Sequence, residues 1–70
     1  MVEKTVELTG TSANSIEDAA ALAISRAAVT ISGIRRASIT DTDILIEDGR
    51  IVGWRVSLRV SFEIKDKIHE

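Results

Sequence analysis

The stretch from Val52 to Ile64 reads V-G-W-R-V-S-L-R-V-S-F-E-I, and it decides the fold of this chain. From residue 54 to residue 64 every even position is apolar and every odd position is polar. Because successive side chains of a strand point to opposite faces, this alternation is typical of a half-buried β-strand. One face is expected to meet a hydrophobic core. The other carries arginine, serine and glutamate side chains that meet water or a ligand.

The preceding segments indicate a β-α-β-β order. Residues 2–9 alternate as a first strand, which Gly10 and the polar residues after it are expected to end. Ser15 is a good helix N-cap with Asp18 three residues later, and an alanine-rich helix follows as far as a stop at Gly33. We therefore expect an α+β fold, a three-stranded antiparallel sheet folded over one helix. The inner face of the helix is predicted to carry Ile16, Ala20, Ala23, Ile24, Ala27 and Ile31.

The second strand, which begins at Ile34, changes its apolar face along its length. Ala37 and Ile39 share one parity and Ile44 shares the other with Ile46, so a bulge or bend is expected over Thr40–Asp43. The Asp48-Gly49 pair predicts a tight hairpin turn into the third strand.

Size and composition limit what holds the fold together. The chain has 70 residues, no Cys and one His, so neither disulfides nor a structural zinc site supplements its core. We expect a single domain over residues 1–70 with a polar tail at 66–70. A domain this small buries a thin core, and homo-oligomerisation is the usual source of added stability.

Several functional classes are disfavoured by the sequence. A net charge of −2 with mixed signs, and only one Trp and one Phe, predicts no nucleic-acid partner. No apolar run approaches the roughly 20 residues that span a bilayer, and the N-terminus alternates like a strand, so no membrane association and a cytoplasmic location are expected. Ser57 and Ser61 have no base at a recognisable spacing, His69 has no partner, and no enzyme is predicted. Trp54 lies on the apolar side of the last strand and is expected to belong to the core.

Four arginines could form a binding site along the second and third strands. Their forked donors suit phosphate or carboxylate groups, which would make a cationic pocket. The alternative is a set of salt bridges to Glu63, Glu7 or a neighbouring subunit. The four residues are Arg35, Arg36, Arg55 and Arg59.

An acidic cluster invites a metal hypothesis. Its members are Asp41, Asp43, Glu47 and Asp48. Carboxylate oxygens are the ligands that calcium and magnesium prefer. The calcium-loop pattern fails, because Leu45 and Ile46 occupy the next ligand position and the glycine position. Any ion would need further carboxylates, and the alternative is a solvated bulge and turn.

Several motifs together resemble the dodecin family over essentially the whole chain. They are Leu8-Thr-Gly-Thr-Ser, Ser25-Arg-Ala-Ala, the Asp-Gly hairpin, and the closing strand from Val56 to Ile64. The resemblance implies a β-α-β-β protomer that assembles into a hollow homododecamer of 23 symmetry. It also implies a non-enzymatic protein that binds and stores flavins, such as riboflavin, FMN or FAD, at subunit interfaces.

The resemblance also assigns a ligand site. Typical members stack a second-strand tryptophan on the flavin, and Arg36 stands at that position. Because Arg36 replaces that tryptophan, a flavin pair sandwiched by tryptophans cannot form here. The resemblance also makes Arg55 correspond to a ring-binding glutamine and Ser38 to an acidic residue. Some relatives that lack this tryptophan look like a separate branch of the family that is associated with calcium. This chain resembles that branch. Two functions follow: a shell that binds a small ligand, or a calcium-associated or structural shell.

Overall fold

The strand that contains Val52–Ile64 lies at the centre of the sheet. The computed structural model describes residues 2–64, which form β1 (Val2–Ser12), α1 (Ile16–Thr30), β2 (Ile34–Glu47) and β3 (Arg50–Ile64). The strands pair antiparallel in the order β1-β3-β2. The predicted β-α-β-β fold is confirmed. β3 begins two residues before the predicted stretch, because the hairpin ladder continues to Arg50.

The prediction that β1 ends before Gly10 is wrong. Thr11 pairs with Arg55 and Ser12 pairs with Trp54, so the ladder continues through the glycine. Gly10 is buried, and a Cβ added there would clash with the carbonyl oxygen of Ala19. Glycine inside a strand often marks a site where another backbone approaches closely. Here the absence of a side chain at Gly10 allows the helix to pass close over the strand.

A polar network fixes the corner between β1 and α1. The Ser15 hydroxyl accepts a hydrogen bond from the Asp18 amide at 2.9 Å, which confirms the predicted N-cap. The Ser12 hydroxyl donates to the Asp18 carboxylate at 2.6 Å and accepts from the Asn14 amide at 2.9 Å. The start of the helix is therefore tied to the last residue of β1.

The helix buries a stripe of alanines. Ala19, Ala23 and Ala27 are its buried residues, whereas Ile16 is 37% exposed, so the predicted inner face is wrong at that isoleucine. Small side chains at i, i+4 and i+8 let α1 approach the sheet more closely than a stripe of isoleucines would. The helix ends at Thr30, so the prediction that Ile31 belongs to its inner face is also wrong: Ile31 is the C-cap residue and has an extended backbone. Gly33, in the loop that follows, adopts a φ of 78°. Within residues 2–64 no helix is long and apolar enough to cross a membrane.

The hydrophobic core lies between α1 and the strands β1 and β3. Its buried members are Ala19, Ala23, Val56, Leu58 and Val60, with Val6, Leu8, Ala20, Ile24 and Ile34 packed around them. The helix lies over β1 and β3 rather than over β2. As a consequence Ile39 and Ile44, which pair with core-face residues of β3, remain 53% and 50% exposed.

The β2–β3 hairpin extends beyond the rest of the molecule. A register shift between Ile39 and Asp41 confirms the predicted bulge, and the turn residues Asp48 and Gly49 have φ values of 52° and 75°, which confirm the predicted hairpin turn. The last β1 pair is Ser12 with Trp54, so residues 45–53 project past β1. We call residues 45–53 the hairpin tip. The molecule is consequently elongated, at 59 × 19 × 12 Å.

Candidate functional site

The face of the sheet opposite the core carries the candidate ligand residues. Residues that pair directly across antiparallel strands share one face. The β2–β3 pairs on this face are Arg36 with Ser61, Ser38 with Arg59, Asp41 with Ser57, and Asp43 with Arg55. The bulge shifts β2 by one residue, which keeps even-numbered Ser38 and odd-numbered Asp43 on the same side. Arg36, Ser38 and Arg55 therefore share the polar face.

These three residues do not converge in one protomer. Arg36 pairs opposite Ser61, six residues along β3 from Arg55. At the rise of a strand this separation is about 20 Å. Arg36 and Ser38 instead lie beside Arg59, which pairs with Ser38. A ligand that contacts both Arg36 and Arg55 needs these residues from two different copies of the chain.

Two of the four arginines form the salt bridges that the sequence offered as an alternative. Arg35 donates to the Glu63 carboxylate at 2.6 Å, and Arg59 lies 3.7 Å from the Glu7 carboxylate. Within residues 2–64, neither Arg36 nor Arg55 forms an ion pair of this kind. These two exposed guanidinium groups keep their donors available for an anion.

The four acidic residues are divided between two places. Asp41 and Asp43 share the polar face, whereas Glu47 pairs with Arg50 and Asp48 occupies the turn. No group of three or more metal-ligating side chains is found in the part of the chain that the structure describes. Asp43 also pairs opposite Arg55, a cation that opposes metal binding. A calcium ion at any of these residues would require ligands from another copy.

Trp54, predicted to belong to the core, is half-buried. It pairs with Ser12 on β1 and Ile44 on β2, at the position where β1 ends. It lies on the face of β3 opposite Arg55, and within residues 2–64 it is not one of the residues that form the hydrophobic core or pack against it. The predictions for His69 and the polar tail at 66–70 fall outside the described residues.

A concave surface between β1 and α1 was not predicted from the sequence. A cavity of about 440 Å³ lies between the edge strand β1 and the helix. Its lining consists of Leu8, Thr9, Gly10, Thr11, Leu22, Ala23, Arg26 and Ala27. We call these eight residues the β1–α1 groove. Two of the motifs that carry the family resemblance form its walls, but nothing in their spacing indicates that they meet.

Comparison with known proteins identifies the class that this fold and sheet represent. The family model described as Dodecin matches residues 2–65. The chain belongs to the dodecin family.

The similar proteins include one that is named calcium dodecin and others that are named dodecin. The calcium dodecin of Mycobacterium tuberculosis is 34% identical over 64 residues, which are 91% of this chain and 90% of that protein. The crystal structure of calcium dodecin from the same organism, described as having a novel calcium-binding site, matches with a TM-score of 0.81 at 33% identity over 96% of each chain. A variant of dodecin from Thermus thermophilus matches with a TM-score of 0.87 at 29% identity, over 93% of this chain and 97% of the other.

Proposed function

We propose that this protein is a non-enzymatic, self-associating dodecin that binds a small anionic ligand, of the flavin-nucleotide class, between copies of the polar sheet face. The observation that carries the proposal is the pair of guanidinium groups at Arg36 and Arg55. Both are exposed on one face and neither is held by a carboxylate within residues 2–64. Ser38 supplies a hydroxyl on the same face.

Self-association is supported by the apolar surface that one protomer leaves uncovered. Large side chains at the uncovered β2 face and at the hairpin tip are about half exposed or more: Ile39 53%, Ile44 50%, Ile46 63% and Ile51 56%. Contiguous exposed apolar surface of this kind marks an interaction site. Family membership supports a closed homododecamer of 23 symmetry as the form of that assembly.

The chemistry of arginine favours a phosphate-bearing ligand. A guanidinium binds phosphate through two parallel hydrogen bonds, and its flat face also stacks on an aromatic ring. Arg36 would contact the ring or the phosphate, and Arg55 of a neighbouring copy would hold the other end. Neutral riboflavin lacks the phosphate, so wild-type protein is expected to bind FMN or FAD more tightly than riboflavin.

The test is a titration of flavin fluorescence at fixed protein concentration. With wild-type protein, half-maximal quenching of fluorescence should need a lower concentration of FMN than of riboflavin. Arg36→Trp should bind both flavins more tightly, because indole stacks better than guanidinium on an isoalloxazine ring. Arg35→Trp is the matched control, since this neighbouring arginine is engaged with Glu63 and lies outside the paired positions of the polar face. Unchanged fluorescence in wild type and in Arg36→Trp would refute the flavin-nucleotide proposal.

Calcium binding is the second candidate. It is supported by the 34% identical relative named calcium dodecin and by the carboxylates of Asp41 and Asp43 on one face. In this proposal, Asp41 and Asp43, or Glu47 and Asp48 at the turn, share an ion with carboxylates of another copy. A ligand at 100 times its Kd stabilises the folded state by about 2.7 kcal/mol, so calcium should raise the melting temperature measurably. Asp41→Asn with Asp43→Asn should abolish that rise if the polar face holds the ion, and Glu47→Gln with Asp48→Asn should abolish it if the turn does. Glu3→Gln, at an exposed position of β1, should retain the rise.

The remaining expectations concern the cellular setting. A cytoplasmic location, the absence of nucleic-acid and membrane partners, and a single domain over residues 1–70 stay predictions from composition and charge. Fractionation of cells that express the tagged chain would test the location directly.

A further inference from the structure

The β1–α1 groove is an apolar concavity with one cation. Leu22 in its wall is 48% exposed, and Arg26 is exposed beside it. No ion pair holds Arg26 within residues 2–64. β1 is an edge of the sheet, so its outer backbone groups border the groove without a neighbouring strand. An occupant of this groove would bring apolar side chains together with a negative charge.

The hairpin tip has this composition. Ile46, Ile51 and Val52 are 63%, 56% and 45% exposed, and Glu47 and Asp48 place two carboxylates beside them. Such a density of exposed apolar side chains on a nine-residue projection is unusual for a surface that faces only water. The tip is expected to be covered in the functional protein.

The tip cannot fill the groove of its own chain. β1 residues 8–11 of the groove pair with residues 55–58 of β3, and the tip begins where β1 has ended. Because the hairpin continues away from that point, the tip and the groove are at different positions along the 59 Å length of the molecule. A second copy of the chain can supply the missing partner to each surface.

We propose that the hairpin tip of one copy inserts into the β1–α1 groove of a second copy. The apolar tip side chains pack against Leu22, and the carboxylates of Glu47 and Asp48 approach Arg26. This inference rests on the proposed self-association and adds the surfaces that make it. Since the two surfaces differ, the contact is head-to-tail and passes from copy to copy until the assembly closes.

Two single substitutions test the groove and the tip separately. Native mass spectrometry measures the mass of the assemblies that each variant forms. Leu22→Asp damages the groove and leaves the tip intact, whereas Ile46→Glu damages the tip and leaves the groove intact. Each variant alone should give assemblies of lower mass than wild type. Mixing the two should produce complexes that contain both variants, because the intact tip of Leu22→Asp fits the intact groove of Ile46→Glu. The two substitutions have different masses, so mixed species are identified directly.

Val29→Asp is the matched control, since Val29 is 79% exposed on the same helix but does not line the groove. It should assemble at wild-type mass, and far-UV circular dichroism should show native secondary structure in all variants. If both variants keep the wild-type multimer mass, or if mixing yields no joint complex, the tip-in-groove contact is refuted while self-association stands. A small molecule retained by the wild-type multimer and lost from Leu22→Asp without loss of mass would also refute it. A monomeric wild type would refute both proposals.

Discussion

Replacing Gly10 by alanine tests the close approach of the helix to β1. An added Cβ would lie 3.0 Å from the Ala23 Cβ and 3.2 Å from the Ala19 carbonyl carbon, and would clash with the Ala19 carbonyl oxygen. The nearest obstacle is a backbone atom of α1 and the next is an alanine Cβ, and neither can rotate away as the end of a flexible side chain could. The whole helix must therefore move outward and loosen its contacts with the sheet.

The size of the effect follows from two opposing contributions. Overpacking of a buried site costs about 1–3 kcal/mol. The lower backbone entropy of alanine in the unfolded chain offsets about 0.4–1 kcal/mol of this. The difference between these two ranges is about 0–2.6 kcal/mol. Because the nearest obstacle is a backbone atom, Gly10→Ala should destabilise the protein by at least about 1 kcal/mol, and each kcal/mol lowers the melting temperature of a domain this size by about 4–8 °C.

The assay is thermal unfolding followed by circular dichroism at one fixed protein concentration, because assembly makes the midpoint concentration-dependent. Val29→Ala is the control. This helix side chain is 79% exposed and lies outside both the hairpin tip and the β1–α1 groove. Its melting temperature should stay close to that of wild type. A midpoint for Gly10→Ala equal to or above that of wild type would show that α1 does not constrain this position.

Three other substitutions should lower the free energy of unfolding, measured by chemical denaturation against wild type, by amounts that rank with the burial of the replaced side chain. Leu58→Ala removes a side chain that is 2% exposed in the core and should cost about 2–5 kcal/mol, so a loss below 1 kcal/mol would contradict the core assignment. Ser15→Ala removes the hydroxyl that caps α1 and should cost about 0.5–2 kcal/mol, with helical ellipticity falling as well. Arg35→Gln breaks an ion pair whose arginine is 65% exposed and should cost no more than about 1 kcal/mol, with less effect still in high salt.

Local signals in the sequence predicted those elements that depend on neighbours along the chain. The alternation of β3, the Ser15 cap, the bulge near Thr40 and the Asp48-Gly49 turn each follow from periodicity or backbone preference within a few residues. Gly10 misled the prediction, because glycine either ends a strand or admits a close neighbour, and only the position of α1 decides between these roles. The exposure of Ile16 also depends on how α1 packs, because the face of the helix that meets the sheet carries alanines and not this isoleucine.

The candidate site was less predictable because it depends on register. Salt bridges of Arg35 and Arg59 to Glu63 and Glu7 were among the alternatives that charge pairing suggested. The separation of Arg36 from Arg55 follows from the pairing of β2 with β3, including a bulge whose exact residue the sequence does not give. The groove joins β1 to α1 residues 11 or more positions later, and no sequence pattern records that contact.

Native mass spectrometry of the untreated wild-type protein is the most direct test of the central claim, that this dodecin works as an assembly which holds a ligand between its copies. We expect a closed multimer of twelve chains of 7.6 kDa each. Added mass should match a flavin nucleotide for the first proposed function or calcium for the second. A protein that remains a monomer at micromolar concentration would refute ligand binding between copies, because Arg36 and Arg55 would then never meet around one ligand.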